Sequence, residues 1–265
     1  MKSKKEQIID NSLFSIEKIE QLAIIKFKSD APIEELYKLE NSNKYFEDDL
    51  GKVSGSDITT RLFIFSNNIF SEERFIDFFG TIKKVPHEKI DFLSLDSNIR
   101  YMQFARFINI KYRFIKDVLE SHKLNIFALE GSSIGLWLST VLSGDFSILS
   151  QNSQFTFPFL NDDILPLGGL VYYLDKYVNK AALDEILLLG KPISADDMLS
   201  WGLVNRVFPS DSFAKEAIEL ALQISNKSPY YINSIIKYKQ RLNSRLMESL
   251  DYERSFYADR GLRSL

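Results

Sequence analysis

The sequence predicts an α/β fold with a helical C-terminal subdomain. Three observations carry this. Strand-like and helix-like patterns alternate to about residue 160. From Leu170 onward the pattern is wholly helical. The chain has 265 residues, 45% of them hydrophobic, enough for one sizeable core.

The elements follow in order. "IEKIEQLAIIKFKS" (16–29) reads as two short strands turning at Glu20-Gln21, the second β-branched and buried. "APIEELYKLENSNKYFEDDL" (31–50) reads as a helix with Pro32 near its start. "TTRLFIFSNN" (59–68) is a core strand closed by an Asn-Asn turn. Residues 72–100, with Pro86 and His87, read as helix, loop and a short strand. "IRYMQFARFINIKYRFIKDVLESH" (99–122) carries Tyr101, Phe104, Phe107, Ile108, Tyr112, Ile115 and Leu119 at helical spacing. "LNIFALEG" (124–131) is the next buried strand, and "FSILSQNSQFTFPF" (146–159) holds a strand pair around Gln151-Asn152.

The C-terminal third reads as a run of helices. Residues 168–190 supply one or two, ending at Gly190. Ser194 caps a short helix, with Asp197 three residues on in an acidic capping box. Residues 210–228 form another helix, and 229–259 a last one that starts with Pro229.

Composition excludes several chemistries. The net charge of −3 and the pI near 5.6 leave no basic face for nucleic acid. With no cysteine, disulfides, thiolate zinc sites and cysteine nucleophiles are excluded. With only His87 and His122, so is a histidine-rich metal site. The start "KSKKEQIIDNS" lacks an apolar signal region, and no stretch reads as a membrane span. The expectation is a cytoplasmic protein with no metal and no membrane partner.

"EGSSIGLWLSTVLSGD" (130–145) has the look of a ligand-cradling turn feeding a buried helix. If Leu136 opens that helix, its backbone N–H lacks an intrahelical partner and can point at a ligand oxygen. The alternative is a core helix with a serine-rich cap.

"LLLGKPISADDMLSWGLVNRVFP" (187–209) closely resembles the enoyl-CoA hydratase/isomerase family, the crotonase superfamily. Gly190, Ile193, Ser194, Ala195, Trp201, Gly202, Leu203, Val204, Asn205 and Val207 fit its pattern, with Met198 in place of the usual alanine. "KLNIFALEGSSIG" resembles the family's strand and turn, and Asp145 its helix-closing aspartate. Pro158, Pro166, Gly168 and Gly169 fall on its proline–glycine segment. The resemblance is strong over about 124–240 and weak before that.

The resemblance implies a spiral of ββα units over 1–190 and a helical trimerisation subdomain over 191–265. It implies a thioester substrate on coenzyme A or an acyl-carrier protein, a homotrimer or hexamer, and no cofactor beyond the thioester. It assigns one oxyanion donor to the backbone N–H of Leu136 and the second to that of Glu72, in a loop that has lost the family's Ala-Gly. Gly135, Trp137 and Phe159 border the acyl pocket in this register.

The family's two hydratase glutamates fall on Ser139 and Phe159, neither of which can take a proton at neutral pH. Asp162 and Asp163 read as a replacement base or as a solvated loop. Ser139 reads as a water-orienting group or as a serine bonded to its own helix. Lys237 and Lys239 read as contacts to CoA phosphates or as a solvated face. His87 reads as a surface loop residue, and His122 as a complement to a helix dipole. Two functions follow. One is a divergent enzyme stabilising an enolate, as an isomerase or as a dehydrating or decarboxylating lyase. The other is a non-catalytic pseudoenzyme that assembles with an active homologue.

Overall fold

The computed structural model describes residues 5–28, 57–65, 109, 111–157 and 166–263. Ten strands lie in this set: β1 (Lys5–Asp10), β2 (Phe14–Ile19), β3 (Leu22–Phe27), β4 (Thr60–Phe65), β5 (Leu124–Leu129), β6 (Ser132–Ile134), β7 (Phe146–Ser150), β8 (Gln154–Thr156), β9 (Ile193–Ser194) and β10 (Arg206–Phe208). The helices are α1 (described over 111–119), α2 (Gly135–Ser143), α3 (Leu170–Tyr177), α4 (Lys180–Leu189), α5 (Ala195–Ser200), α6 (Phe213–Ser225), α7 (Pro229–Leu242) and α8 (Ser244–Arg263). Among the described residues no helix is long and apolar enough to cross a membrane.

Seven strands form the main sheet in the order β1-β2-β3-β4-β5-β7-β10. The first three pair antiparallel; β3, β4, β5, β7 and β10 run parallel. Both faces of the central strands are buried, which is why they read as near-continuous apolar runs. Strand alternation sorts their side chains. Ile25, Phe63 and Phe127 pair in register and enter one core; Ile24, Leu62 and Ile126 enter the other. The second core is closed by Phe213, Ala217 and Ala221 of α6 and by Ile232 and Ile236 of α7. Small residues at four-residue spacing bring α6 close to the sheet.

The first core is built on an aromatic ladder. Phe63 and Phe127 stack with centroids 4.9 Å apart, and Phe27 and Phe65 at 4.8 Å. Phe114 of α1 stands edge-on to both Phe63 and Phe127, at 6.3 and 6.2 Å. Such pairs contribute about 0.5–1.5 kcal/mol each beyond their burial. The ladder thereby holds α1 over the sheet, with Lys111, Tyr112 and Ile115 on the layer that α2 also occupies.

The small sheet, β6-β8-β9, caps the same layer. β7 and β8 flank the Gln151-Asn152 turn as expected, yet they do not pair. β7 joins the main sheet, and β8 pairs with β6 and β9. The expected helix over 229–259 also divides, at Asn243, into α7 and α8. β1 forms in "KEQIID", for which the sequence predicts no element, and the helix expected over 31–50 lies outside the described residues.

The segment that carries the family resemblance is a packing device. Ser194 and Asp197 form the expected capping box at the start of α5. The Asn205 side chain accepts from the Ser147 N–H at 2.8 Å and its N–H donates to the Ser147 carbonyl, fixing β10 alongside β7.

Candidate functional site

The turn at 130–135 is positioned by both sheets. The Glu130 N–H donates to the Phe65 carbonyl at 3.1 Å, Gly131 takes φ +86°, and β6 then pairs with β8. α2 begins at Gly135 after Ile134, which has extended backbone and supplies no side-chain acceptor. No acidic residue occupies the first turn. The Leu136 N–H therefore belongs to a helix start that no side chain caps. Gly135 is sealed by Phe157: a Cβ there would collide with the ring.

Ser139 is fully buried, as are Leu138, Thr140 and Val141 on either side. Its hydroxyl packs against Gly168, which has φ +75°. A Cβ on Gly168 would collide with Ser139 Oγ and lie 2.8 Å from Ile115 Cδ1. Glycine is required at 168 by both the left-handed backbone and this contact.

The next residue, Gly169, is gripped by α8. Its N–H donates to Glu253 Oε1 and Oε2 at 3.0 and 3.1 Å, and Tyr112 Oη donates to Oε2 at 2.7 Å. Leu246 and Leu250 pack over the same glycine. Glu253 is half-buried, and its burial raises the carboxyl above its ordinary value; the bonds from Tyr112 and the Gly169 and Gly168 N–H groups oppose that rise. A cavity of about 520 Å³ lies between α1 and α8, walled by Tyr112 and Leu250 among others.

Lys111 is a further buried basic group. Its ammonium donates to Thr140 Oγ1 and lies 4.0 Å from the centroid of the Trp137 ring. Burial pushes its pKa well below the ordinary lysine value. Trp137, expected to border the acyl pocket, is thus a platform for the chain's own Lys111 side chain.

Gly135, Leu136, Trp137 and Ser139 lie together on α2. Lys237 is exposed on α7, which packs on the opposite face of the sheet. Lys239 is committed to Asp145, whose carbonyl accepts from its ammonium at 2.8 Å. His122 is exposed beyond the end of α1. Glu72, His87, Phe159, Asp162 and Asp163 lie outside the described residues. Among the described residues no cluster of His, Asp and Glu could hold a metal ion.

Sequence reading missed Lys111 and Glu253. Each had a legible signal, a charge standing on an apolar helical stripe. Leu246, Leu250 and Glu253 share one face of α8, as Lys111, Ile115 and Val118 share one of α1.

The enoyl-CoA hydratase/isomerase family pattern matches residues 102–261. Carnitinyl-CoA dehydratase of Salmonella typhi is 31% identical over 121 residues, which are 46% of this chain and 46% of that protein. The chain thus spans about half the length of the curated relatives it matches. Among solved structures, an enoyl-CoA hydratase/isomerase from Pseudoalteromonas atlantica T6c superposes with a TM-score of 0.68 at 20% identity, over 93% of this chain and 90% of that one. A methylmalonyl-CoA decarboxylase in complex with 2-nitronate-propionyl-CoA gives 0.60 at 19% identity, over 93% and 90%. The structural likeness carries the fold alone. Together with the match over more than half the chain, however, it accounts for the uncapped turn, the packing segment and the proline–glycine turn at once: the chain belongs to the enoyl-CoA hydratase/isomerase family, within the crotonase superfamily.

Proposed function

We propose that this protein binds an acyl thioester, on coenzyme A or an acyl-carrier protein, and stabilises an enolate formed from it. The observation that supports this best is the start of α2, where Ile134 supplies no cap and the first N–H groups have no side-chain acceptor. In this reading the Leu136 N–H donates to the thioester oxygen, with the Glu72 N–H as second donor. Gly135, Trp137 and Phe159 border the acyl group, and Lys237, on the opposite face of its own sheet, contacts CoA phosphates across a subunit boundary. The ligand needs no metal.

The reaction in this reading is not standard hydration. Ser139 is buried against Gly168 where a hydratase of the family holds a glutamate. Isomerisation, dehydration or decarboxylation remains. A dehydratase among the relatives supports dehydration.

The tight Ser139–Gly168 contact also favours a second reading, a non-catalytic subunit that assembles with an active homologue. Exposed Leu188 (77%) and Leu189 (80%) on α4, with Tyr230 (84%) and Leu242 (61%) on α7, supply an apolar surface for assembly in either reading. A homotrimer or hexamer, with residues 191–265 as the assembly subdomain, fits both. Calorimetry with acetoacetyl-CoA separates them. Saturable binding supports the first; no binding, together with capture by an active homologue, supports the second.

A further inference from the structure

We infer that Lys111 of α1 supplies positive charge to the ligand site at the start of α2, so that the site favours an acyl thioester in its enolate form over the same thioester uncharged. The inference rests on the thioester reading above. Its first ground is direct contact with α2. The Lys111 ammonium donates to Thr140 Oγ1 and stands 4.0 Å from the centroid of the Trp137 ring. Trp137 follows Leu136, and Thr140 lies four residues beyond Leu136 on the same side of the helix. Side chains on a helix lean toward its N-terminus. The ammonium therefore sits within about one helical turn, roughly 5 Å, of the turn that carries the Leu136 N–H.

The second ground is that this charge has no counter-ion. Lys111 is only 4% exposed, and among the described residues its ammonium meets a hydroxyl and a ring but no carboxylate. α2 itself carries no charged residue. Glu253, the carboxylate beside the adjoining Tyr112, is taken up by the Tyr112 hydroxyl and the Gly169 N–H. An ammonium has three donors, and Thr140 accepts from one. A buried charge without a partner is costly, and burial accordingly lowers the affinity of Lys111 for its proton. An anion arriving at the uncapped start of α2 offsets that cost, because the N–H groups there and the ammonium then face one negative charge. The helix start alone suits any ligand oxygen. A buried cation on its flank discriminates by charge, and the enolate oxygen carries a negative charge that the keto oxygen lacks.

The test is the near-ultraviolet enolate band of acetoacetyl-CoA, whose C2 proton is readily lost to solvent, read on the bound ligand at neutral pH. Binding of butyryl-CoA, which stays uncharged at its acyl group, is measured in parallel by calorimetry. Lys111→Gln keeps a donor for Thr140 and removes the charge, so a merely structural role survives it. Wild type is expected to hold acetoacetyl-CoA more enolised than it is in solution. Lys111→Gln is expected to lower the enolate-to-keto ratio of the bound ligand by roughly 10–10³-fold, while binding butyryl-CoA within about threefold of wild type. Lys111→Met carries the same test if circular dichroism shows that the Gln variant fails to fold. Bound acetoacetyl-CoA no more enolised than the free ligand, or a variant whose ratio falls short of that drop, overturns the role of Lys111 and leaves the thioester reading intact. So does a folded variant that loses butyryl-CoA as well, since that marks a packing role. Wild type that binds neither thioester overturns both.

Discussion

Ser139, fully buried, meets Gly168 so closely that Gly168 has no room for a side chain. The hydroxyl fills the space a Cβ on Gly168 would need, and Ile115 closes the far side. Restoring the family's carboxylate by Ser139→Glu is therefore expected to destabilise the chain by about 1–3 kcal/mol from overpacking alone, and to create no hydratase. Gly168→Ala adds backbone strain at φ +75° and is expected to cost about as much. Urea unfolding of the two variants measures both; wild-type stability in either would contradict this packing.

Hydration of crotonyl-CoA is expected to be essentially absent. Loss of a general acid–base group costs roughly 10²–10⁴-fold, and here neither Ser139 nor Phe159 is a carboxylate. Turnover within tenfold of an ordinary hydratase contradicts the reading of position 139.

Lys111 makes stability depend on pH. Its folded-state pKa is depressed by burial, so between that value and the ordinary lysine value the unfolded chain binds more protons. Stability from this group is therefore expected to rise with pH up to about pH 10. Lys111→Met should remove the slope, whatever it does to the absolute value through the orphaned Thr140 hydroxyl. Urea midpoints at neutral and alkaline pH compare the two proteins. An equal slope in both would show that the amine is not the source.

The assembly is expected to be a trimer or a hexamer. Light scattering at micromolar concentration reads its mass directly, and Leu188→Glu with Leu189→Glu should lower it. A wild-type monomer contradicts the expectation.

The parts of the fold legible in the sequence were those with dense local signals. β3, β4 and β5 are buried on both faces and read as apolar runs. The Ser194–Asp197 box fits within four residues, and Pro229 marks the start of α7. The illegible parts depend on distant partners. β6, β9 and β10 are two or three residues long and exist because β8 and β7 pair with them. The same holds for β8, whose sheet is set by Ser194 and Ile134 rather than by its neighbour across the turn. At the site, the turn and the serine at 139 were legible from their order in the chain. The contact of Glu253 with Gly169 was not, because the two lie 84 residues apart in the chain.

The central claim is that the turn before Leu136 holds an acyl carbonyl. Leu136→Pro deletes that one N–H while keeping a residue suited to a first helical turn. Calorimetry with an acyl-CoA ligand compares wild type with this variant, with folding checked by circular dichroism. Loss of one donor in a dry pocket is expected to weaken binding by about 1–3 kcal/mol, roughly five- to 150-fold. Equal binding by the two proteins, or no thioester binding by wild type, would contradict it.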